Sequence, residues 1–286
     1  MMAPPAAGYR ARSIGLAAQE FVSWDTAEGT APQQAPVTVV GCFKSGFYLR
    51  AGPVRSSVPN GVRSEVRFCA VVDPTIAPGP LHLQLDGPVP RVTVGSVAEV
   101  SPTEIVLGTT RIHLAGGAVF AGHPAPLDDA AMARLAFMPI SVPRALLSVW
   151  PTLPAGLSAI ELAGHQELLA GRGIGLTPDG DDVLAGIFLV LACDPASHAT
   201  NRSLARTAPT TDLSRAFLRW ASVGQAVKPI HQLLDAARTG DVGALRRAFV
   251  AIESMGHSSG GATLAGLSRA ASILGPTRHQ LPLTAS

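Results

Sequence analysis

Three aspartates, Asp179, Asp181 and Asp182, follow the glycine-punctuated run Gly171-Arg172-Gly173-Ile174-Gly175-Leu176-Thr177-Pro178. Alternating glycines permit tight backbone turns and close approach of a ligand, and Pro178-Asp179-Gly180 is a strong turn signal. The plain reading is a glycine turn with an aspartate cap on the helix that follows. Three carboxylates exceed what capping needs, however, and their repulsion must be offset by a cation, a basic ligand or protonation. One candidate is a magnesium site on Asp181 and Asp182, because that ion takes one or two carboxylates plus phosphate oxygens. The other is a site for a substrate with N–H donors.

A second loop, Gly256-His257-Ser258-Ser259-Gly260-Gly261, carries hydroxyls and an imidazole but no carboxylate. Its free N–H groups and the helix start after it suit an anion. His257 can act as a general acid or base near neutral pH, or serve only as a helix cap beside Gly256. Thr177 to Gly186 aligns without gaps on His257 to Gly266, and both end in Leu-Ala-Gly. Two such loops in one chain suggest one site built from both, which requires Asp182 and His257 to lie on the same side of the molecule. The first loop is not a Walker A motif, since no Gly-Lys-[Ser/Thr] follows, and it is not a dinucleotide fingerprint, since the run before it is helical. A Gly-x-Ser-x-Gly hydrolase elbow would need a strand before the serines, where a helix is expected.

The elements around these loops divide the chain in two. Residues 1–34 are rich in Ala, Pro and Gly and read as a flexible segment, with a turn or strand as the alternative over Ile14–Phe21. From 35 to 125 the text reads as short strands, among them Val37–Val40, Leu81–Leu85, Arg91–Val94 and the hairpin Ile105–Leu114, punctuated by prolines at 74, 78, 80, 88 and 90. A small barrel or sandwich is expected there. From 126 to 286 the pattern is helical, with expected helices at 158–169, 181–193, 212–222, 229–238, 242–255 and 262–274. The fold class is therefore α+β: a β-rich domain, then a mainly α-helical domain carrying both Gly-rich loops. A hydrophobic fraction of 47% argues for a packed core. Net charge of +2 gives no basic surface for nucleic acid. The three widely spaced cysteines form no Cys-x-x-Cys pair. The most apolar run, Val183 to Cys193, is shorter than the roughly 20 residues a membrane helix needs, and the start of the chain lacks a signal pattern. A cytoplasmic protein is expected.

At the two loops the sequence resembles the oxamate carbamoyltransferase subunit family of the anaerobic allantoin and oxalurate pathway. Its motifs, Gly-x-Gly-Leu-Thr-Pro-Ser-Gly-Asp-Asp and Gly-His-[Ser/Thr]-Ser-Gly-x-Asp, stand here as Gly173 to Asp182 and Gly256 to Ala262. Asp179 replaces the family's serine, and Ala262 replaces its second aspartate. The resemblance implies transfer of a carbamoyl group from oxalurate to phosphate, giving carbamoyl phosphate and oxamate. It also implies partner subunits in a hetero-oligomer, with a homo-oligomer as the alternative. On this reading His257, Asp182 and Asp181 are catalytic. Arg172, Gly173, Gly175, Thr177, Gly180, Ser258, Ser259 and Gly260 bind substrate. Ala262 favours a rival, a non-catalytic scaffold or ligand-sensing subunit. A metal-dependent amide or ureide hydrolase is a third reading.

Overall fold

The computed structural model describes residues 8–23, 37–52, 66–150, 161 and 165–275. The chain forms two compact units, Met1–Ala121 and Gly122–Ser286.

The first unit is a β-barrel. Its strands are β1 (Gly8–Gly15), β2 (Val37–Phe43), β3 (Gly46–Ala51), β4 (Arg67–Val72), β5 (His82–Leu85), β6 (Val97–Val100), β7 (Glu104–Leu107), β8 (Thr110–His113) and β9 (Ala118–Phe120), with α1 (Leu16–Ser23) after β1. Hydrogen bonding runs β5-β4-β3-β2-β6-β7-β8-β1, and β1 pairs back with β5, so eight strands close on themselves and leave no open edge. The first half of β1 runs parallel to β8 and the second half parallel to β9, with a bulge at Ala11–Ser13 against β5. Phe47, Leu49, Val71, Leu83, Ile105 and Ile112 are buried in the barrel's core. Two buried polar groups, Gln84 and His82, hold the preceding loop: Gln84 Nε2 donates to the Ile76 carbonyl at 2.7 Å and His82 Nδ1 to that of Ala77 at 2.8 Å.

Two expectations are corrected here. The segment 1–34 is not simply flexible: Gly8–Ser23 supplies the strand that closes the barrel and a helix that buries Phe21 and Val22. Arg91–Val94 is not a strand. Local turn chemistry outweighs its β-propensity, and the chain turns at Gly95 (φ 89°) before pairing as β6.

The second unit is helical: α2 (Asp129–Ala136), α3 (Gln166–Leu169), α4 (Asp179–Leu191), α5 (His198–Thr207), α6 (Asp212–Ala221), α7 (Lys228–Thr239), α8 (Val242–Glu253) and α9 (Ser259–Leu274). The part of the expected 158–169 helix before Leu169 lies mostly outside the described residues. Asp128, Thr211 and Asp241 cap α2, α6 and α8 by accepting from backbone N–H groups three residues on. Helices α4 and α9 are apolar nearly all round, as central helices must be, and pack on each other more extensively than any other pair of elements. Both start earlier than the sequence suggests, at the loop residues Asp179 and Ser259.

Their contact repeats itself about a local pseudo-twofold axis. Gly186 faces the Thr263 carbonyl at the crossing, and Gly266 faces the Val183 carbonyl; a Cβ on either would collide with that oxygen. At the helix starts, Gly180 lies against the Leu169 carbonyl and Gly260 against that of Ile252. Gly180 N–H donates to Arg172 O at 2.8 Å and Gly260 N–H to Met255 O at 3.1 Å. The sequence echo between the two segments is thus a structural repeat, with each residue of α4 answering to the one eighty positions on in α9.

Candidate functional site

Because α4 and α9 cross at paired glycines, their N-termini and the loops feeding them are drawn together. The junction is a hydrogen bond between loops: Ser258 Oγ donates to Asp179 Oδ1 at 2.6 Å. One residue further on, the Ser259 hydroxyl lies against Asp182. The Ser258 and Ser259 positions expected to share a pocket with the aspartate loop do meet it, and His257 precedes that joint directly.

The three aspartates are not equivalent. Asp181 is almost wholly buried and fully used: Oδ1 accepts from Gly171 N–H at 2.9 Å and Oδ2 from Thr210 Oγ1 at 2.5 Å. It ties the start of the glycine loop to the segment before α6. The other end of that loop is held by the Leu176 carbonyl, which accepts from Thr211 Oγ1 and Ser214 Oγ, each at 3.4 Å. Asp182 is largely enclosed, and among the described residues its Oδ2 has no hydrogen-bond partner. Burial pushes its carboxyl up to about 8; Ser259's hydroxyl pulls the other way, and Asp181 and Asp179 add repulsion. Asp182 is therefore mainly protonated at neutral pH and can donate a proton. Asp179, half-buried, takes the Ser258 hydroxyl.

Between its anchors the glycine loop stands in solvent. Gly173 (φ 114°) and Gly175 (φ 98°) adopt left-handed conformations, and Gly173 packs so closely on the Asp179 N–H that a side chain would not fit. Ile174 is 90% exposed at the tip. Arg172 and His257 are exposed, and among the described residues neither side chain is engaged by a hydrogen bond or ion pair. Thr177 is half-buried and Gly180 and Gly260 are buried at the helix starts. The first turn of α9 carries no acidic residue, and the N–H groups of Ser259 and Gly261 have no internal acceptor among the described residues. An anion is favoured there and disfavoured at α4.

Asp181 and Asp182 do not fit magnesium as they stand. Asp181 has both oxygens committed to Gly171 and Thr210, and among the described residues no group of three His, Cys, Asp or Glu side chains is placed to hold a metal. Sequence reasoning did not find Thr210, Thr211 and Ser214 as supports of the loop. Thr210 lies 29 positions from Asp181, and nothing local in a threonine before a helix signals so distant a partner.

Fold and site together define a protein with a closed barrel and a helical unit whose two related helix starts form one polar joint. Residues 169–271, which span both loops, match the family model of the oxamate carbamoyltransferase subunit AllH. This agrees with the resemblance read from the two motifs. No curated protein and no solved structure matches the chain. No helix among the described residues is long and apolar enough to cross a membrane.

Proposed function

We propose that the helical unit contributes to the active site of a carbamoyltransferase, as one subunit of a larger assembly, and that the reaction joins oxalurate and phosphate to give carbamoyl phosphate and oxamate. The observation that carries this reading is the Ser258–Asp179 hydrogen bond, which brings both motifs of the matched region to one point.

Each part of the joint suits a step. A phosphate oxygen attacks the carbamoyl carbon, the bond from that carbon to the oxamate nitrogen breaks, and the nitrogen takes up a proton. The N–H groups of Ser259 and Gly261 and the positive end of α9 hold the phosphate. Asp182, protonated at neutral pH, supplies the proton to the leaving nitrogen and takes it back in the reverse direction. His257, exposed on the loop, is a second proton carrier. Arg172, exposed on the glycine loop, pairs with the substrate carboxylate. Asp181 positions the loop rather than reacting, because both its oxygens are bonded.

The test has two arms. Phosphate, carbamoyl phosphate and oxamate are each added to the purified chain, and melting is followed; a ligand at one hundred times its Kd stabilises by about 2.7 kcal/mol. The assembly reconstituted with its partner subunits is then assayed for oxamate-dependent release of phosphate from carbamoyl phosphate. Stabilisation plus turnover is the expected result, with turnover falling at least about a hundredfold in Asp182→Ala. Ala262, where the second motif would carry an aspartate, favours a scaffold or sensing subunit instead. Stabilisation by ligand with full turnover in both Asp182→Ala and His257→Ala would favour that reading.

A further inference from the structure

The repeat makes Ala262 the counterpart of Asp182, and Asp179 the counterpart of Ser259. The axis relating α4 to α9 exchanges Gly186 with Gly266 and Val183 with Thr263, and by the same register the counterparts of Asp182 and Ser259, which touch, are Ala262 and Asp179. In the first contact the helix-start residue of α9 is a serine and the fourth residue of α4 an aspartate. In the counterpart pair the roles are reversed: the helix-start residue of α4 is the aspartate, and the fourth residue of α9, fully buried, is alanine. A carboxylate is thus present on each side of the axis, but α4 supplies both.

We infer that Asp179 is a positioning residue of the shared site: it stands in for a carboxylate at position 262 and, by accepting from Ser258, fastens the second loop over the start of α4. The role rests on the carbamoyl-transfer reading for its consequence in turnover, but the fastening itself does not. Asp179 acts through Ser258, whose hydroxyl it turns away from its own helix; Ser258 makes no capping bond to α9. The released N–H groups of α9 then face the ligand.

The experiment moves the carboxylate across the axis. Asp179→Ser removes it, and Asp179→Ser with Ala262→Asp rebuilds it from the other helix. The start of α4 then supplies the hydroxyl and α9 the carboxylate, the counterpart of the Ser259–Asp182 pair. Amide hydrogen exchange of residues 256–261 is measured without ligand, and kcat and KM are measured on the reconstituted assembly. Expected for the single change are exchange at least tenfold faster in the loop, kcat lowered at least tenfold and KM within about twofold. The double change should return exchange and kcat toward the parent values, which a general loss of stability would not do. Unchanged exchange and kcat in Asp179→Ser overturn the role. A double variant no better than the single one overturns the equivalence of positions 179 and 262. If Asp179→Ser does not fold, Asp179→Asn, which keeps an acceptor for Ser258, is expected to fold and to hold the loop at parental exchange; faster exchange there overturns the fastening. A parent assembly that transfers no carbamoyl group removes the reaction, while the exchange arm still decides the fastening.

Discussion

At the scale of single residues, the decisive feature is a carboxyl group kept neutral. Asp182 sits where burial outweighs the Ser259 hydroxyl, so its folded-state pKa of about 8 lies far above the usual carboxylate value near 3.9. The folded chain therefore holds a proton that the unfolded chain releases over that interval. Stability from this group is complete below the unfolded value and is lost as pH rises toward 8, at up to about 1.4 kcal/mol per pH unit. Asp182→Asn abolishes the titration, so the advantage of the variant in urea denaturation should grow between pH 5 and pH 8; a constant difference would show that the carboxyl titrates normally. In carbamoyl transfer the parent should lose turnover as pH passes about 8, as the acid is spent, and Asp182→Asn should be slow at every pH. The density of carboxylates, and the requirement that something relieve their repulsion, was visible in the sequence. Which one would be protonated was not, because Asp179, Asp181 and Asp182 are chemically alike and differ only in what folds around them.

At the scale of elements, two helices owe their closeness to two glycines. Gly186 and Gly266 sit where each helix meets a carbonyl of the other, so an added methyl has no space and the backbones must part. Gly186→Ala or Gly266→Ala should cost about 3 kcal/mol or more in chemical denaturation. Gly261→Ala, in the same helix but with open space around it, should change stability by no more than about 1 kcal/mol. Equal costs at the three positions would contradict the crossing. Helices α6, α7 and α8 were legible from their apolar faces and caps, and Gly240 ends α7 in the left-handed conformation expected of it. The starts of α4 and α9 were misplaced because Asp, Gly and Ser are poor helix formers. Tertiary packing of the glycines overrides that preference. The run Arg91–Val94 failed as a strand because local turn chemistry outweighs its β-propensity: Ser96 N–H closes a turn on the Thr93 carbonyl at 3.0 Å around Gly95.

At the scale of the whole molecule, each unit holds a histidine favoured in its neutral form, His82 buried and His231 half-buried. In the barrel unit His82 is enclosed and donates to Ala77 O; in the helical unit His231 accepts from Ala226 N–H at 3.2 Å. Burial lowers both pKa values, and for His231 the nearby His123 adds to the lowering while Asp235 opposes it. The unfolded chain then binds protons that the folded one refuses, so this contribution to stability is whole above about pH 6.5 and is lost as pH falls below it. Melting temperature should drop between pH 7 and pH 5, and drop less in His231→Gln. An unchanged slope would mean that this imidazole is not what titrates. Over that range Asp182 acts in the opposite sense, and the Asp182→Asn background separates the two.

The residue pattern alone determined the α+β class, the change from pleated to helical periodicity, and the pair of loops with chemistry in them. Those are local properties, set by side-chain period, turn residues and motif spacing. Tertiary structure decided that the barrel closes through a strand near the start of the chain, that the two loops are halves of one repeat, and that Asp179 rather than Asp181 joins them. The reason is distance along the chain: Ser258 and Asp179 are 79 positions apart, and only the glycine-to-glycine crossing of α4 and α9 brings their hydroxyl and carboxylate within bonding reach.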